Sequence, residues 1–359
     1  MDELTQLTVD LVAIDSVNPA LVPGGNGERD VALFVAAWCE RHGLEVELVG
    51  EERPSVVARQ RGSGGGRSLL LNAHLDTVGV AGMAAPYDPR VENGRLYGRG
   101  AYDMKGALAA ILLATVAVEG LRGDVIVTAV ADEELASIGT EAVLERVHAD
   151  AAIVPEPTDL QLAVAHRGFV GFELETHGVA AHGSRPDLGV DAIVKMGHVL
   201  VALEQLDKRL QSGRRHPLVG AGSVHASLIE GGQELSSFPA SCLLTAERRT
   251  IPGETATDVE RELRELAGEA TVRLIASRDP YEAPLEHPFV ELVARVTGAR
   301  ELVGAPFWTD AALIAGAGIP TVLYGPAGEG AHAEIEWVDL ASLERVRRVI
   351  VDTATEWCA

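Results

Sequence analysis

Residues 69–78, LLLNAHLDTV, open as an unbroken apolar run and end in a histidine and an aspartate two positions apart. With Ser68 in front, SLLLNA is apolar on successive residues, so a strand here must be covered on both faces. Such strands belong in a parallel sheet lined by helices on either side. The flanks agree. Residues 2–16 and 28–43 carry apolar positions at helical spacing, and 55–61 reads as a strand. DVIVTAVA at 124–131 and AAIV at 151–154 are further strands, with helices predicted at 105–118 and 140–147. Alternation of this kind predicts an α/β fold with a mostly parallel sheet sandwiched by helices.

The pattern then changes. Strands at 169–176, 222–230, 242–250 and 270–276 are interleaved with helices at 189–210 and 257–267. That β-α-β-β-α-β order is the ferredoxin-like α+β arrangement. After Tyr281 the α/β pattern resumes, with a helix at 288–297, a helical stretch after Thr309, the strand TVLYG at 321–325 and a last helix at 340–357. The expectation is one catalytic domain, residues 1–167 and 278–359, interrupted by an inserted domain at 168–277. A chain of 359 residues fits two hydrophobic cores better than one.

Composition narrows the function classes. Acidic residues outnumber basic ones 53 to 30, for a formal net charge of -23, which repels nucleic acid and anionic membranes. No apolar run approaches the roughly 20 residues needed to span a bilayer. The first residues, MDELTQLTVDLVAIDS, lack the basic start and apolar core of a signal peptide, so a cytoplasmic location is expected. Cys39, Cys242 and Cys358 are far apart, with no CxxC pair, and read as buried thiols.

The chemistry-bearing residues cluster after predicted strands, where open α/β sheets bind ligands. His74 and Asp76 stand just past LLLNA, and a histidine backed by a carboxylate suits a metal ligand. In RLYGRGAYDMKGALAA, Gly98 and Gly100 allow a tight turn before Asp103, which could equally cap the following helix. The segment matches neither GxxxxGK[ST] nor GxGxxG, which argues against nucleotide binding. VIVTAVADEELASIGT ends a strand in Asp132, Glu133 and Glu134, adjacent acids that need solvent or a cation. Glu156 sits between prolines in PEPT, and His332 lies in the glycine-rich loop VLYGPAGEGAHAEIEWV. Each has an ordinary structural explanation alone. Together, two histidines and several carboxylates suit zinc, cobalt or manganese better than softer metals.

With these residues in this order, the chain resembles the acetylornithine deacetylase, succinyl-diaminopimelate desuccinylase and glutamate carboxypeptidase group, aminoacylase-like co-catalytic zinc metallopeptidases. The resemblance runs from NAHLDTV to HAEIEWV. It implies a zinc-aminopeptidase-like catalytic domain with an inserted lid and dimerisation domain, two divalent metal ions, and a homodimer acting on an N-acyl amino acid or short peptide. It implies His74, Asp103 and Glu156 around one metal, and Asp103, Glu134 and His332 around the other, with a cis peptide after Asp103. Asp76 would orient His74, and Glu133 would be the general base. GVAAHGSRPDLGVDA would present His182 to the opposite subunit's site as an oxyanion donor. ERRTIPG would supply Arg249, with Arg248 the lesser candidate, for a substrate carboxylate. Ser236 in GGQELSSFPA stands where that family often has asparagine. His166, His198 and His225 read as structural or surface residues, although His166 and Arg167 fall at the expected hinge. The implied reaction is amide hydrolysis of the deacetylase or desuccinylase type; a dipeptidase, a glutamate-type carboxypeptidase and an inactive binding relative are the alternatives.

Overall fold

The computed structural model describes residues 1–80 and 82–359. The chain divides into two compact units, Met1–Val164 with Ala283–Val303 and Thr309–Ala359, and Ala165–Glu282 with Gly304–Trp308.

The first unit is built on a mixed sheet. Its strands run in the order Glu45–Val49, Ser55–Gln60, Val125–Val130, Leu69–His74, Ala151–Val154 and Thr321–Leu323, with Ala163 paired beyond. The four strands from Val125–Val130 to Thr321–Leu323 are mutually parallel, and antiparallel pairs flank them. All six residues of Leu69–His74 are buried, as the continuous apolar run requires. Two helix groups cover the sheet. Gly106–Ala117 packs with Glu3–Val12 and Leu340–Trp357, while Arg29–Arg41, Ile138–Leu144 and Ala311–Gly316 pack on other strands. Gly106–Ala117 is buried from Gly106 to Thr115, so it shows no amphipathic stripe.

Register puts the site where it is. His74 pairs with Val130, and Val154 with Leu323, so these strands end at one edge of the sheet. His74 closes one of these strands, the segments that follow them carry Asp76, Glu133, Glu134 and Glu156, and His332 comes from the connection between Gly328–Glu329 and Trp337–Asp339.

Some expected bounds move. The first helix stops at Val12, and Ser16 turns inward, its hydroxyl donating to the Leu75 carbonyl at 2.7 Å. The helix expected at 140–147 is Ile138–Leu144. Asp103 does not cap a helix. It lies inside the turn Ala101–Lys105 with φ -121° and ψ 92°, and the Asp103–Met104 peptide is cis. A small sheet of Gly328–Glu329, Trp337–Asp339, Arg95–Tyr97 and Arg90–Glu92 has no counterpart in the sequence expectations, its strands being too short to show periodicity.

The second unit has a four-stranded antiparallel sheet ordered Ser223–Gly231, Ser241–Thr250, Gly168–His177, Thr271–Arg278. Buried and half-buried residues alternate along Gly168–His177 and Ser241–Thr250, the signature of a sheet with one packed face. Helices Ala192–Ser212 and Ala256–Ala267 bury Met196, Leu203, Leu206, Val259 and Leu263 against Phe172, Leu174 and Leu244. Asp191 caps the first helix on the Val194 N–H at 2.9 Å, and Thr255 with Asp258 forms a capping box on the second. Gly304–Trp308, read from sequence as part of the first domain, groups here. Trp308 sets its ring edge-on to Phe169 at 6.4 Å, and its indole N–H donates to the Asp279 carbonyl at 3.1 Å.

Candidate metal centre

Asp103 stands at the middle of the cluster. Its Oδ1 lies 3.1 Å from His74 Nε2 and its Oδ2 lies 3.5 Å from His332 Nε2. His332 Nε2 is also 3.1 Å from Glu134 Oε2. Two triads result, His74–Asp103–Glu156 and Asp103–Glu134–His332. In each, the candidate ligand atoms lie within 4.8 Å of one another. His74 closes the strand Leu69–His74, the other four come from four separate loops or turns, and Asp103 belongs to both triads.

Backbone constraints deliver them. Gly100, at φ 76°, turns the chain toward Asp103, and a Cβ there would meet Thr77 Cγ2 at 2.8 Å. Glu156 is steered by Pro155 and Pro157 and by Gly325, where an added Cβ would lie 2.0 Å from the Glu156 carbonyl oxygen. His332 has a left-handed φ of 63° and remains largely exposed.

Glu133 differs from its neighbour. Its carboxylate is half-buried at the cluster but has no hydrogen-bond or ion-pair partner among the described residues. Its backbone N–H donates to Asp76 Oδ1 at 3.0 Å, and that of Glu134 to Asp76 Oδ2 at 3.2 Å. Asp76 thus holds the 133–134 backbone, while its own carbonyl oxygen lies 2.9 Å from His74 Nδ1 and its carboxylate 3.7 Å from that nitrogen. A carbonyl can only accept, so His74 donates through Nδ1 and turns Nε2 toward Asp103.

The protonation behaviour tests whether these groups suit a cation. Burial, then the charge of Glu156, pushes Glu133 well above the usual carboxylate range. Burial and Asp103 do the same to Glu156. Burial opposes a charged His74, but the hydrogen bond to Asp103 and the carboxylates of Glu156 and Glu133 outweigh it and raise the imidazole well above its ordinary value. Hydrogen bonds to Asp103 and Glu134 lift His332 to about 10. Burial works against ionised Asp103, yet the two imidazoles hold it below the usual range. The protein groups alone therefore gather protons at the cluster to offset crowded negative charge. Divalent cations would meet the same electrostatic demand, and the imidazole and carboxylate donors fit them.

Several residues that shape the centre escaped the sequence expectations. Glu336, four positions after His332, is buried. Its carboxylate accepts from Arg99 Nη1 at 2.6 Å and from the N–H groups of Gly100, Tyr102 and Asp103 at 3.0, 2.9 and 3.1 Å. Asp310 is buried beneath the cluster, accepting from Thr140 Oγ1 at 2.5 Å and Asn72 Nδ2 at 3.3 Å. Buried Asn18 and Glu28 and the half-buried Arg53 form a further polar set joined through Asp132. The only sequence signal was a carboxylate near a motif, and nothing named its partner.

In the second unit, His182 is exposed, with Nδ1 2.8 Å from Ser184 Oγ, and its strand segment bridges Ser237. Ser236 is also exposed, and its carbonyl accepts the Gly183 N–H at 2.6 Å. The two arginines separate by strand alternation. Arg248 is buried and bound by Glu254 and Glu262, whereas Arg249 is 34% exposed at its side chain, paired with Glu247 and set 5.5 Å from the Phe169 ring centre. His166 is buried beside Tyr281, Arg167 is fixed on the Val219 carbonyl, and His198 and His225 are exposed.

The family model described as Peptidase family M20/M25/M40 matches residues 70–356. The acetylornithine deacetylase of Myxococcus xanthus is 30% identical over 380 residues, covering 97% of this chain and 96% of its own. That of Proteus mirabilis (strain HI4320) is 29% identical, covering 98% and 96%. The fold is shared with an M20 family metallo-carboxypeptidase from Sulfolobus solfataricus, TM-score 0.80 and 19% identity, covering 98% of both chains. It is shared as well with the aminopeptidase PepT of Bacillus cereus, TM-score 0.80 and 19% identity, over 99% of this chain and 98% of that one.

Proposed function

The chain belongs to peptidase family M20/M25/M40 and is a metallohydrolase, and from that premise we propose that it hydrolyses the amide bond of N-acyl amino acids, in the manner of a deacetylase or desuccinylase. The observation that carries the reading is the pair of triads sharing Asp103, with the partnerless Glu133 carboxylate beside them. Similarity to acetylornithine deacetylases over nearly the whole chain supports the acyl amino acid as substrate.

We assign His74, Asp103 and Glu156 to one divalent ion and Asp103, Glu134 and His332 to a second, with zinc the expected metal and cobalt or manganese the substitutes to compare. A bound ion pair supplies Lewis acidity toward a water and the acyl oxygen. The remaining work falls to the protein. Glu133 removes a proton from the attacking water as its oxygen bonds to the acyl carbon, then delivers that proton to the amide nitrogen as the C–N bond breaks. A carboxylic acid and a free amine leave. Arg249, the accessible one of the two arginines, is assigned to the substrate carboxylate, which a guanidinium can bind through two hydrogen bonds.

The second unit is assigned as lid and dimerisation domain, with His182 donating to the oxyanion at the site of the other copy. Its edge strand Ser223–Gly231 leaves one ladder unpaired and exposes Leu228 at 65% and Ile229 at 53%, which favours a partner there. Cys39, Cys242 and Cys358 are all unpaired and buried, as suits a reducing cytoplasm. No described helix is long and apolar enough to cross a membrane.

The test is hydrolysis of N-acetyl and N-succinyl amino acids beside simple dipeptides, after chelation and after metal return. Chelator-sensitive release of amino acid from the acylated series supports the reading. Turnover confined to the dipeptides replaces it with the peptidase alternative, and two bound ions with no turnover point to a binding relative.

A further inference from the structure

Behind the metal centre lies a chain of polar groups that reaches the candidate ligand His74 through Asp76, whose carboxylate stands 3.7 Å from His74 Nδ1. Asn18 is fully buried, and its single amide nitrogen donates one hydrogen to Asp76 Oδ2 at 2.8 Å and the other to Asp132 Oδ1 at 2.9 Å. Its oxygen accepts from the N–H groups of Ala20 at 3.0 Å and Leu21 at 3.3 Å, which fixes which way the amide faces. Arg53 Nη1 donates to the same Asp132 oxygen at 2.7 Å, while its Nε and Nη2 grip the buried Glu28 carboxylate. Three buried carboxylates, Glu28, Asp76 and Asp132, are therefore tied together by one guanidinium and one amide.

The far end of this chain is the turn that matters. Asp76 spends one oxygen on the Glu133 N–H and the other on the Glu134 N–H. Asp132, immediately before them, sits at a left-handed φ of 70°, and Ser137 closes the turn at φ 51°. The Asp132 carbonyl accepts the Ala136 and Ser137 N–H groups at 3.0 and 2.5 Å. A short turn with two left-handed residues other than glycine persists only when its surroundings over-determine it. The Asn18 and Arg53 contacts supply that constraint from the N-terminal half of the unit.

We propose that Asn18 and Arg53 are positioning residues for the Glu133–Glu134 turn, acting through Asp76 and Asp132 to hold the base and the ligand at their separate places. The assignment rests on the roles given to Glu133 and Glu134 above. It predicts an asymmetry. Glu134 serves only the triad with His332, and Arg53 reaches the turn through Asp132 rather than through Asp76, which orients His74, so the Arg53 variants should weaken one ion and spare the one held by His74 and Glu156.

The first experiment needs no metal. Amide hydrogen exchange of the chelated protein compares the 132–137 turn with the strand Val125–Val130, in the parent and in Asn18→Ala, Arg53→Met and Arg53→Lys. The expected result is exchange roughly tenfold faster in the turn for Asn18→Ala and Arg53→Met with the strand unchanged. Arg53→Lys, which keeps the charge but loses the fork, falls between. Uniformly faster exchange across strand and turn, or no change in the turn, overturns the positioning role. The second experiment titrates cobalt(II) into the parent and the Arg53 variants and follows its visible spectrum. One equivalent should weaken by about 10-fold or more with the other within about twofold, and kcat should fall with KM little changed. Equal loss at both equivalents, or parental spectra and kcat, refutes the proposal. A parent that binds no cobalt while its variants still loosen the turn refutes the metal reading alone.

Discussion

Replacing Glu336 by glutamine should damage both candidate metal triads together, because this one carboxylate fixes the loop that carries their shared residue. Glu336 and Arg99 are 0% and 2% exposed at their side chains and stand 2.6 Å apart. The same carboxylate receives three consecutive-loop N–H groups, from Gly100, Tyr102 and Asp103. Glutamine keeps the size, but it strands a buried guanidinium and turns an NH2 group toward N–H donors. Breaking a buried pair on one side costs about 3–5 kcal/mol. For a domain of 150–250 residues, each kcal/mol shifts the midpoint by about 2–4 °C, so the drop should fall between about 6 and 20 °C. Thermal unfolding of the chelated protein measures it without interference from bound ions. Competition with a chromophoric chelator then measures the ions, and both affinities should fall, since Asp103 moves with the loop. Glu336→Asp retains the charge and should recover part of each effect. A variant within about 2 °C of the parent, with both affinities intact, would refute the claim that Glu336 holds the Asp103 loop.

Three further outcomes are expected. Glu133→Gln should keep both ions and lower kcat by about 10²- to 10⁴-fold, the usual range for a lost general acid and base; parental turnover removes Glu133 from that role. His182→Ala should lower kcat by about 10²-fold or more, and light scattering should find a dimer; a fully active monomer contradicts both the donor and the assembly. The third concerns pH. His332 titrates near 10 among the protein groups, above the ordinary 6.5, because Asp103 and Glu134 face it. Its protonation therefore stabilises the metal-free fold fully below about pH 6.5, and that contribution is lost as pH rises through about 10. A cation must displace this proton, so affinity at the His332 triad should climb steadily across the window in titrations at pH 6.5, 7.5 and 8.5. A flat profile would mean that His332 does not ligate.

What could be read from the sequence follows the range of the interaction. SLLLNA announced a buried parallel strand because burial on both faces writes itself into consecutive residues. Ser241–Thr250 buries alternate residues, but its consecutive Leu243–Leu244 and Arg248–Arg249 keep that period out of the sequence. Glu45–Val49 is harder to read: it is a short, mostly exposed edge strand, and its alternation spans only EVEL. The five candidate ligands were legible because each closes an apolar strand or sits in a glycine-rich loop. Asn18, Arg53, Glu336 and Asp310 were not. Asn18 meets Asp132 across 114 positions and Asn72 meets Asp310 across 238. A single polar residue carries no period, and its partner is chosen only when the sheet brings two loops together.

This distinction explains why so acidic a centre holds its shape. Loops at strand ends are the least constrained parts of an α/β sheet, yet here they present Asp103, Glu133 and Glu134 in separate and unequal surroundings. Carboxylates do both jobs. Those of Asp103, Glu134 and Glu156 turn inward as candidate ligands, while Asp76 and Glu336 turn backward and accept the N–H groups of Glu133, Glu134 and Asp103. Burial pushes Asp76 up to about 7 and Glu336 above the usual carboxylate range, yet oxygens taken up by backbone donors do not compete for a cation, and each carboxylate holds its loop by several short bonds at once. Glu133 and Glu134 receive the same support from Asp76, so their difference arises beyond the backbone. Glu134 finds His332 at 3.1 Å, and Glu133 finds no hydrogen-bond or ion-pair partner among the described residues. Adjacent glutamates fixed by one aspartate thus reach two environments, which is the arrangement a ligand beside a proton carrier requires.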